Sequence, residues 1–571
     1  MKKGQEYEAE IVDYEFPNKG IAYIEGRRII IKGAFQGQRV QIRITKTKNG
    51  KGEGRLLEVL QHSDLETAEP VCRHFGQCGG CTYQTIPYEA QLAIKEQQVR
   101  KLLDGVCDTY IWDGIIGSPC TEGYRNKMEF SFGDEYKDGP LALGLHKKGS
   151  FYDLVTVKDC RIVDSDYNQI LACTLEHFSG LDIPFFQKMR HEGTLRHLVV
   201  RQTARSKDIL INLVVSSQTG EKKPESSGEH IAGDTCSADI ETIKRYLETD
   251  AWVQQLNALN LHGNIAGVLL TVNDSLADVV QSDETHLLYG QDFIYEEILG
   301  LKFRITPFSF FQTNSLGAEV LYEKARDYVG NTRDQVIFDL YSGTGTIAQM
   351  LAPVAKKVVG VEIVEEAVAS ARENAVLNQL DNCEFIAGDV LKVLDQLKEL
   401  PDMIVLDPPR DGVHPKALNK IIRYGVERMV YISCKPTSLA RDLVTLQAAG
   451  YQVEKACCVD MFPGTTNVEV VCLLSKLKSN KLKHINVELE MDEFDLTAAE
   501  SKATYEKIKD YVLKQSGLKV SNLYIAQVKE KCGIIERENY NKPKNENAKQ
   551  PKCPLEKEKA IIAALKYFRM I

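Results

Sequence analysis

Apolar and polar positions alternate in short bursts through the first sixty residues, in YEAEIVDY, GIAYI, RRIIIKG and RVQIRI, with Gly, Asn or Pro between them. A period of two interrupted by turn residues is the pattern of antiparallel strands, so residues 1–61 are expected to form a small OB-like β-barrel. The pattern changes after Cys72. Up to residue 305, strand-like runs such as LVTV, HLVVRQ and ILINLVV mix with helical spacing and no repeat emerges, which predicts an α+β domain over 62–305. The stretch from Ser216 to Ala238, rich in Ser, Gly, Glu and Lys, reads as a surface insertion. From 306 to 476 apolar strands alternate with helices: VIFDL, KVVGVEI, CEFIAG, MIVLD and MVYIS, then YQVEKACCV and NVEVVCLL close together. That alternation predicts a doubly wound, Rossmann-like α/β sheet whose last two strands pair antiparallel at its edge. Beyond Leu477 the chain turns Lys- and Glu-rich. Helical spacing on both sides of a Gly turn, in KATYEKIKDYVLKQSGLKVSNLYIAQVKEKCG, predicts a helical extension over 477–571, either a packed pair or a helix-turn-helix. Residues 538–555 read as a polar linker before a short last helix.

Composition narrows the class. The 571 residues suit three or four domains of about 100–200 residues each. Charged residues make up 26% and apolar ones 43%, as in soluble globular proteins, and no apolar run approaches the roughly 18 residues of a membrane span. The start, MKKGQEYEAE, lacks the apolar stretch of a secretory signal, so a cytoplasmic location is expected. In that setting 15 cysteines argue against a disulfide framework and for metal, redox or nucleophilic use of some of them. A net charge of −9 counts against a nucleic-acid partner, but Arg39, Arg43, Lys46, Lys48, Lys51 and Arg55 face a single acid, Glu53. That run is either a solvated hairpin face or a phosphate-seeking one.

The candidate chemistry gathers at the ends of the predicted α/β strands. VIFDL runs into DLYSGTGT, where Gly343 and Gly345 permit a tight turn and close backbone approach by a bulky cofactor at a helix N-terminus. The next strand ends in Glu362, where a carboxylate accepts the ribose hydroxyls of an adenosine, and a third ends near Asp389, within reach of an adenine edge. Three such features in register point to a class I methyltransferase rather than a dehydrogenase. Upstream, PFSFFQTN places Gln312 among aromatic residues, a pattern that suits either core packing or the methionine end of S-adenosylmethionine. The fourth strand ends in DPPR, Asp407 to Arg410. Enzymes that methylate exocyclic amines place an aromatic ring after this motif, and Arg410 stands there instead.

The fifth strand ends in SCKPTSLARDL, which brings Cys434 to the C-terminal edge of the sheet, where ligands bind in such folds. Carbon 5 of uracil is too poor a nucleophile to take a sulfonium methyl directly; a thiolate adding at carbon 6 creates an enolate with its charge on carbon 5. Such a route then needs a base for the carbon 5 proton, and Glu469, in DMFPGTTNVEVV, begins the last strand at the same edge. The target base must leave its stack to reach the pocket, which favours a structured RNA opened locally.

On these residues the chain resembles the TRAM-containing family of bacterial 23S rRNA (uracil-5-)-methyltransferases over roughly residues 1–476. The matching stretches are YRNKMEFSFG, GTLRHLVVRQ, FFQTN, DLYSGTG, DPPR and SCKPTSLARDL, with Cys72, Cys78, Cys81 and the distant Cys160. The resemblance implies a TRAM barrel over 1–61, an iron-sulfur α+β domain over 62–305 and a methyltransferase domain over 306–476. It further implies a [4Fe-4S] cluster on the four cysteines, for which a zinc site is the chemical alternative. Matched residue by residue, Gln312, Tyr341, Glu362 and Asp407 correspond to cofactor-binding positions, Cys434 to the nucleophile and Glu469 to the base. One departure stands out: the family's His two residues before the base is Asn467 here. The implied partner is 23S rRNA, with no membrane and no obligate protein partner. Alternatives are the same chemistry on a tRNA T-loop uridine, a non-catalytic iron-sulfur RNA-binding protein, or an amino-group RNA methyltransferase.

Overall fold

The computed structural model describes residues 1–48, 50–150, 152–219, 238–276, 284–397, 399–477 and parts of 508–567. Most of the stretch read as an insertion, and most of the polar linker, lie outside the described residues. The chain divides into two compact units, Met1–Ile485 and Asn486–Ile571. The second holds helices Asn522–Lys531 and Leu555–Tyr567, with Ile525, Val528, Ile561 and Leu565 buried and Lys531 paired with Glu558 at 2.8 Å.

Six strands open the first unit: Glu6–Glu10, Asp13–Glu15, Lys19–Ile24, Arg27–Lys32, Arg39–Lys48 and Lys51–Gln61. Alternation places Ile11, Ile29, Ile31, Val40, Ile42 and Ile44 inside, in line with the sequence period. Gly52 and Gly54 give those side chains room, since a Cβ at either would lie 2.8 Å from Ile29 or Ile42. The basic run is less free than its sequence suggests. The first strand lays its acids beside the fifth, and Arg39 pairs with Glu8, Arg43 with Glu6 and Lys46 with Glu53 at 2.8, 2.7 and 3.2 Å. Exposed pairs of this kind are weak, about 0–1 kcal/mol, so a phosphate competes for these cations at modest cost.

A seven-stranded sheet follows, in the order Leu154–Val155, Leu141–His146, Lys127–Asp134, Leu195–Gln202, Asp208–Val215, Asn264–Val272 and Glu284–Gly290. It is antiparallel except where Asp208–Val215 lies parallel to Asn264–Val272, and Tyr167, Phe178 and Trp252 pack helices Ser165–Gly180 and Thr249–Asn257 on it. The α+β expectation describes this layer.

The third sheet positions the chemistry. Its eight strands run Cys383–Ala387, Ala355–Glu362, Thr332–Leu340, Met403–Leu406, Arg428–Ser433, Glu469–Lys476, Tyr451–Val459 and Ile111–Ile116. The first five are mutually parallel, and helices bury apolar stripes on both faces. The order reverses beside Thr332–Leu340, the kind of switch point where open α/β sheets bind ligands. Two features differ from the sequence reading. Glu469–Lys476 pairs antiparallel with Tyr451–Val459 but is inserted next to Arg428–Ser433 instead of lying at the edge. The edge is taken by Ile111–Ile116, from the stretch grouped by sequence with the preceding domain, with helix Tyr88–Asp104 packed alongside through Val99 and Leu103. A six-residue, half-exposed strand carries no pattern that names its partner. Among the described residues no helix is long and apolar enough to cross a membrane.

Candidate active site

Strand Thr332–Leu340 delivers the chain into a loop that curls tightly. Tyr341, Gly343 and Gly345 have φ of 71°, 53° and 75°, three left-handed residues within five positions. A Cβ on Gly345 would sit 2.6 Å from the Phe385 ring, so this glycine is needed for packing as well as for its φ. Gly343 differs: a Cβ there would meet only the Phe310 ring, at 3.8 Å, and Phe310 is 70% exposed. The space over Gly343 is open to a ligand, with an aromatic wall beside it.

Glu362 holds this loop. Its Oε2 accepts the Gly343 N–H at 3.0 Å, and Oε1 accepts those of Ile363 and Val364 at 2.8 and 3.0 Å. A carboxylate offers about four acceptor positions, so beside these three bonds one is left, on Oε2, where the sequence expectation had both ribose hydroxyls. Asp389 uses one oxygen to cap helix Val390–Val393 through Leu391 N at 2.9 Å. The nearby Tyr341 hydroxyl is pushed up to about 12 by burial and by the charge of Asp389.

Tyr322 is buried near Gln312, and its hydroxyl proton is held by burial and by the charges of Asp407, Glu469 and Asp339. The Gln312 loop is tied to the preceding domain. Arg201, itself buried, donates to the carbonyls of Pro307, at 3.1 Å, and Ser309, and Asn126 Nδ2 donates to the carbonyl of Gln312 at 2.9 Å. Sequence reading gave Arg201 and Asn126 no role, although both lie inside matching stretches, because their partners in the Gln312 loop belong to another domain.

Cys434 and Glu469 meet at the sheet's rim. The antiparallel pairing ends at Ser433 opposite Val470, and Cys434 and Glu469 come directly beyond that pair, close enough for the charge of Glu469 to act on the thiol. The Cys434 thiol is partly exposed and pushed up to about 11 by burial, then by the charges of Glu469 and Asp407, with Arg410 opposing. Glu469 is 5% exposed, and burial and Asp407 raise its carboxyl to about 8, again against Arg410. Burial raises Asp407 to about 7 and, with the charge of Asp407, Asp339 to about 8. Three carboxyls and a thiol thus crowd one rim, an arrangement that favours a cationic ligand. Arg410, where amine-methylating enzymes carry a ring, is the exposed cation that supports the anionic forms of Cys434 and Glu469. Asn467 is exposed, and its N–H donates to Thr465 Oγ1 at 3.2 Å.

Cys72, Cys78, Cys81 and Cys160 line one cavity, with His74 and Gln84 beside them. Among the described residues only Asp164, Asp166 and His262 bring three ligating atoms within 4.8 Å of one another, so the four thiols are not drawn into a tight metal-like cluster. The acidic trio is explained structurally. Asp166 accepts the N–H groups of His262 and Gly263 at 2.9 and 2.8 Å, and Asp164 caps helix Ser165–Gly180.

Comparison with known proteins follows the same division. Residues 1–57 match the TRAM domain and residues 243–477 match the tRNA (uracil-5-)-methyltransferase family model. An RNA methyltransferase of Clostridium tetani is 46% identical over 82% of this chain and 98% of its own. One from Caldanaerobacter subterraneus subsp. tengcongensis is 45% identical over 83% and 100%. Among solved structures, the tRNA (uracil-54, C5)-methyltransferase of Pyrococcus abyssi, in complex with S-adenosyl-L-homocysteine, superposes with a TM-score of 0.60 at 23% identity. That match covers 82% of this chain and 100% of the other.

Proposed function

Because the chain belongs to the RNA (uracil-5-)-methyltransferase family, with a TRAM domain at its N-terminus, we propose that it methylates carbon 5 of a uridine in 23S rRNA through a covalent bond to Cys434. The observation that carries this reading is the placing of Cys434 and Glu469 at the ends of two adjacent strands, on the sheet edge that also carries the open Gly343 loop two strands away.

Gly343, Tyr341, Glu362 and Asp389 would hold the adenosine of S-adenosylmethionine, with Gln312 and Asp407 toward its methionine end. The donor supplies an electrophilic methyl on a sulfonium, whose positive charge would lower the pKa values of the thiol and carboxyls around it. The Cys434 thiolate forms a bond to carbon 6, and the pair of the carbon 5–carbon 6 double bond moves to carbon 5 and the adjacent carbonyl oxygen. Carbon 5 takes the methyl, the sulfonium–methyl pair staying on the donor's sulfur. Glu469, as carboxylate, removes the carbon 5 proton; the double bond reforms and the carbon–sulfur bond breaks, returning the thiolate. Arg410 supports both anions, and the burial of Glu469 keeps competing water from it.

The resemblance to the TRAM-containing 23S rRNA enzymes supports ribosomal RNA as substrate. The second reading keeps the chemistry and exchanges the RNA for tRNA, and the fold likeness to the Pyrococcus abyssi tRNA enzyme favours it. Transcripts of 23S rRNA and of tRNA, incubated with methyl-labelled donor and digested to nucleosides, separate the two. The expected product is 5-methyluridine from the 23S transcript alone. Label in tRNA alone overturns the ribosomal assignment, and label on an exocyclic amine overturns the chemistry.

The four-thiol cavity is proposed to hold a [4Fe-4S] cluster. Four thiols with no carboxylate suit an iron-sulfur cluster or zinc, and tetrahedral zinc at about 2.3 Å per bond needs all four sulfurs roughly 4 Å apart, whereas no three of these thiols lie within 4.8 Å of one another. The cluster would cross-link the segment Cys72–Cys81 to Cys160, and no step above calls on its electrons. Protein purified without oxygen is expected to contain iron and acid-labile sulfide, both lost in Cys81→Ser. Zinc alone contradicts the assignment.

A further inference from the structure

Resting on the covalent reading above, we infer that Lys95 is a positioning residue for the base: through a buried ion pair with Asp460 it fixes the segment that presents Glu469. Residues 460–468 connect strand Tyr451–Val459 to the strand that begins at Glu469. Lys95, on helix Tyr88–Asp104, and Asp460 are 1% and 0% exposed and meet at 2.7 Å, though 365 residues apart in sequence. A buried pair of this kind is a poor route to stability, because desolvation offsets most of the attraction and apolar replacements often do as well. What it does here is geometric. Asp460 Oδ1 also accepts the Phe462 N–H at 3.0 Å, and Lys95 Nζ also donates to the Phe462 carbonyl at 3.1 Å. One ammonium therefore pins both ends of the turn that leaves the strand.

The rest of the segment is held from the same side. Gln91, one helical turn before Lys95, accepts the Gly464 N–H at 2.9 Å. The N–H groups of Thr82 and Tyr83, directly after Cys81, donate to the Gly464 carbonyl at 2.7 and 2.9 Å. Tyr124 donates to the Pro463 carbonyl at 2.9 Å, and Asn314, two residues after Gln312, to that of Met461 at 2.8 Å. The base is thus approached through a segment whose polar main chain is anchored to the helix, to the cysteine-bearing loop and to the loop of Gln312. None of these groups touches the reacting atoms, so removal of the central anchor should degrade proton abstraction ahead of covalent capture.

The test uses RNA tritiated at carbon 5 of uridine, methyl donor, and four full-length proteins: wild type, Glu469→Gln, Lys95→Met and the double variant Lys95→Met/Asp460→Asn. The double variant removes both charges, avoids a stranded buried carboxylate and leaves an amide oxygen to accept the Phe462 N–H, so it decides the matter if Lys95→Met does not fold. Formation of the denaturation-resistant protein–RNA complex and release of tritium are timed in a single turnover. The expected result for both Lys95 variants is complex formation within about threefold of wild type, with tritium release slowed about 10- to 100-fold and methylated complex accumulating as in Glu469→Gln. Tritium release at the wild-type rate, or parallel loss of complex formation and release, overturns the inference while Glu469→Gln still accumulates complex. Absence of complex in Glu469→Gln itself sinks the covalent reading, and the inference with it.

Discussion

Glu469→Gln is expected to leave the protein joined to its product. Glutamine keeps the shape of the side chain but cannot accept the carbon 5 proton as a carboxylate does. Capture of the base by Cys434 and transfer of the methyl should therefore proceed, while proton removal slows by about 10²- to 10⁴-fold. A methylated protein–RNA complex that survives denaturant should build up, and tritium release from carbon 5 measures the delay. Burial and Asp407 raise Glu469 to about 8, which gives the pH dependence its sign. The working form is the carboxylate, so in wild type the release step should quicken as pH rises toward and through 8, and it should be flat over that range in Glu469→Gln.

Cys434→Ala should abolish the complex altogether and depress methyl transfer by about 10⁴-fold or more, because no other group in the site adds to carbon 6. The change is small in volume at a partly exposed position and should leave the fold intact. It should also leave donor binding within a few-fold, since the loop of Gly343 and Glu362 is built on other strands. Calorimetric titration with the donor checks that point, and product analysis by mass spectrometry checks the first.

The sequence exposed the parts of this site that depend on local pattern. Gly343 and Gly345 end a strand and open a helix, Glu362 ends the next strand, and Cys434 ends another before Pro436; each is a feature of one element and its boundary. What depends on pairing between distant strands stayed hidden. The insertion of Glu469–Lys476 beside the nucleophile strand, which makes Glu469 a neighbour of Cys434, follows from a register that no period-two pattern encodes. The Arg201 and Asn126 clamps on the Gln312 loop, and the Lys95–Asp460 pair, join residues more than a hundred positions apart. The barrel's strands were legible, yet the acids of its first strand could be seen to neutralise Arg39 and Arg43 only once the two strands were side by side.

One measurement bears most directly on the claim that a cysteine thiolate performs this methylation. RNA carrying 5-fluorouridine at the target, incubated with wild-type protein and methyl donor, presents a carbon 5 that gains a methyl but has no proton for Glu469 to remove, so the covalent species cannot resolve. After digestion, mass spectrometry should find the peptide containing Cys434 carrying a methylated fluorouridine nucleotide. An unmodified Cys434 peptide, with methylated RNA free in solution, would contradict the account.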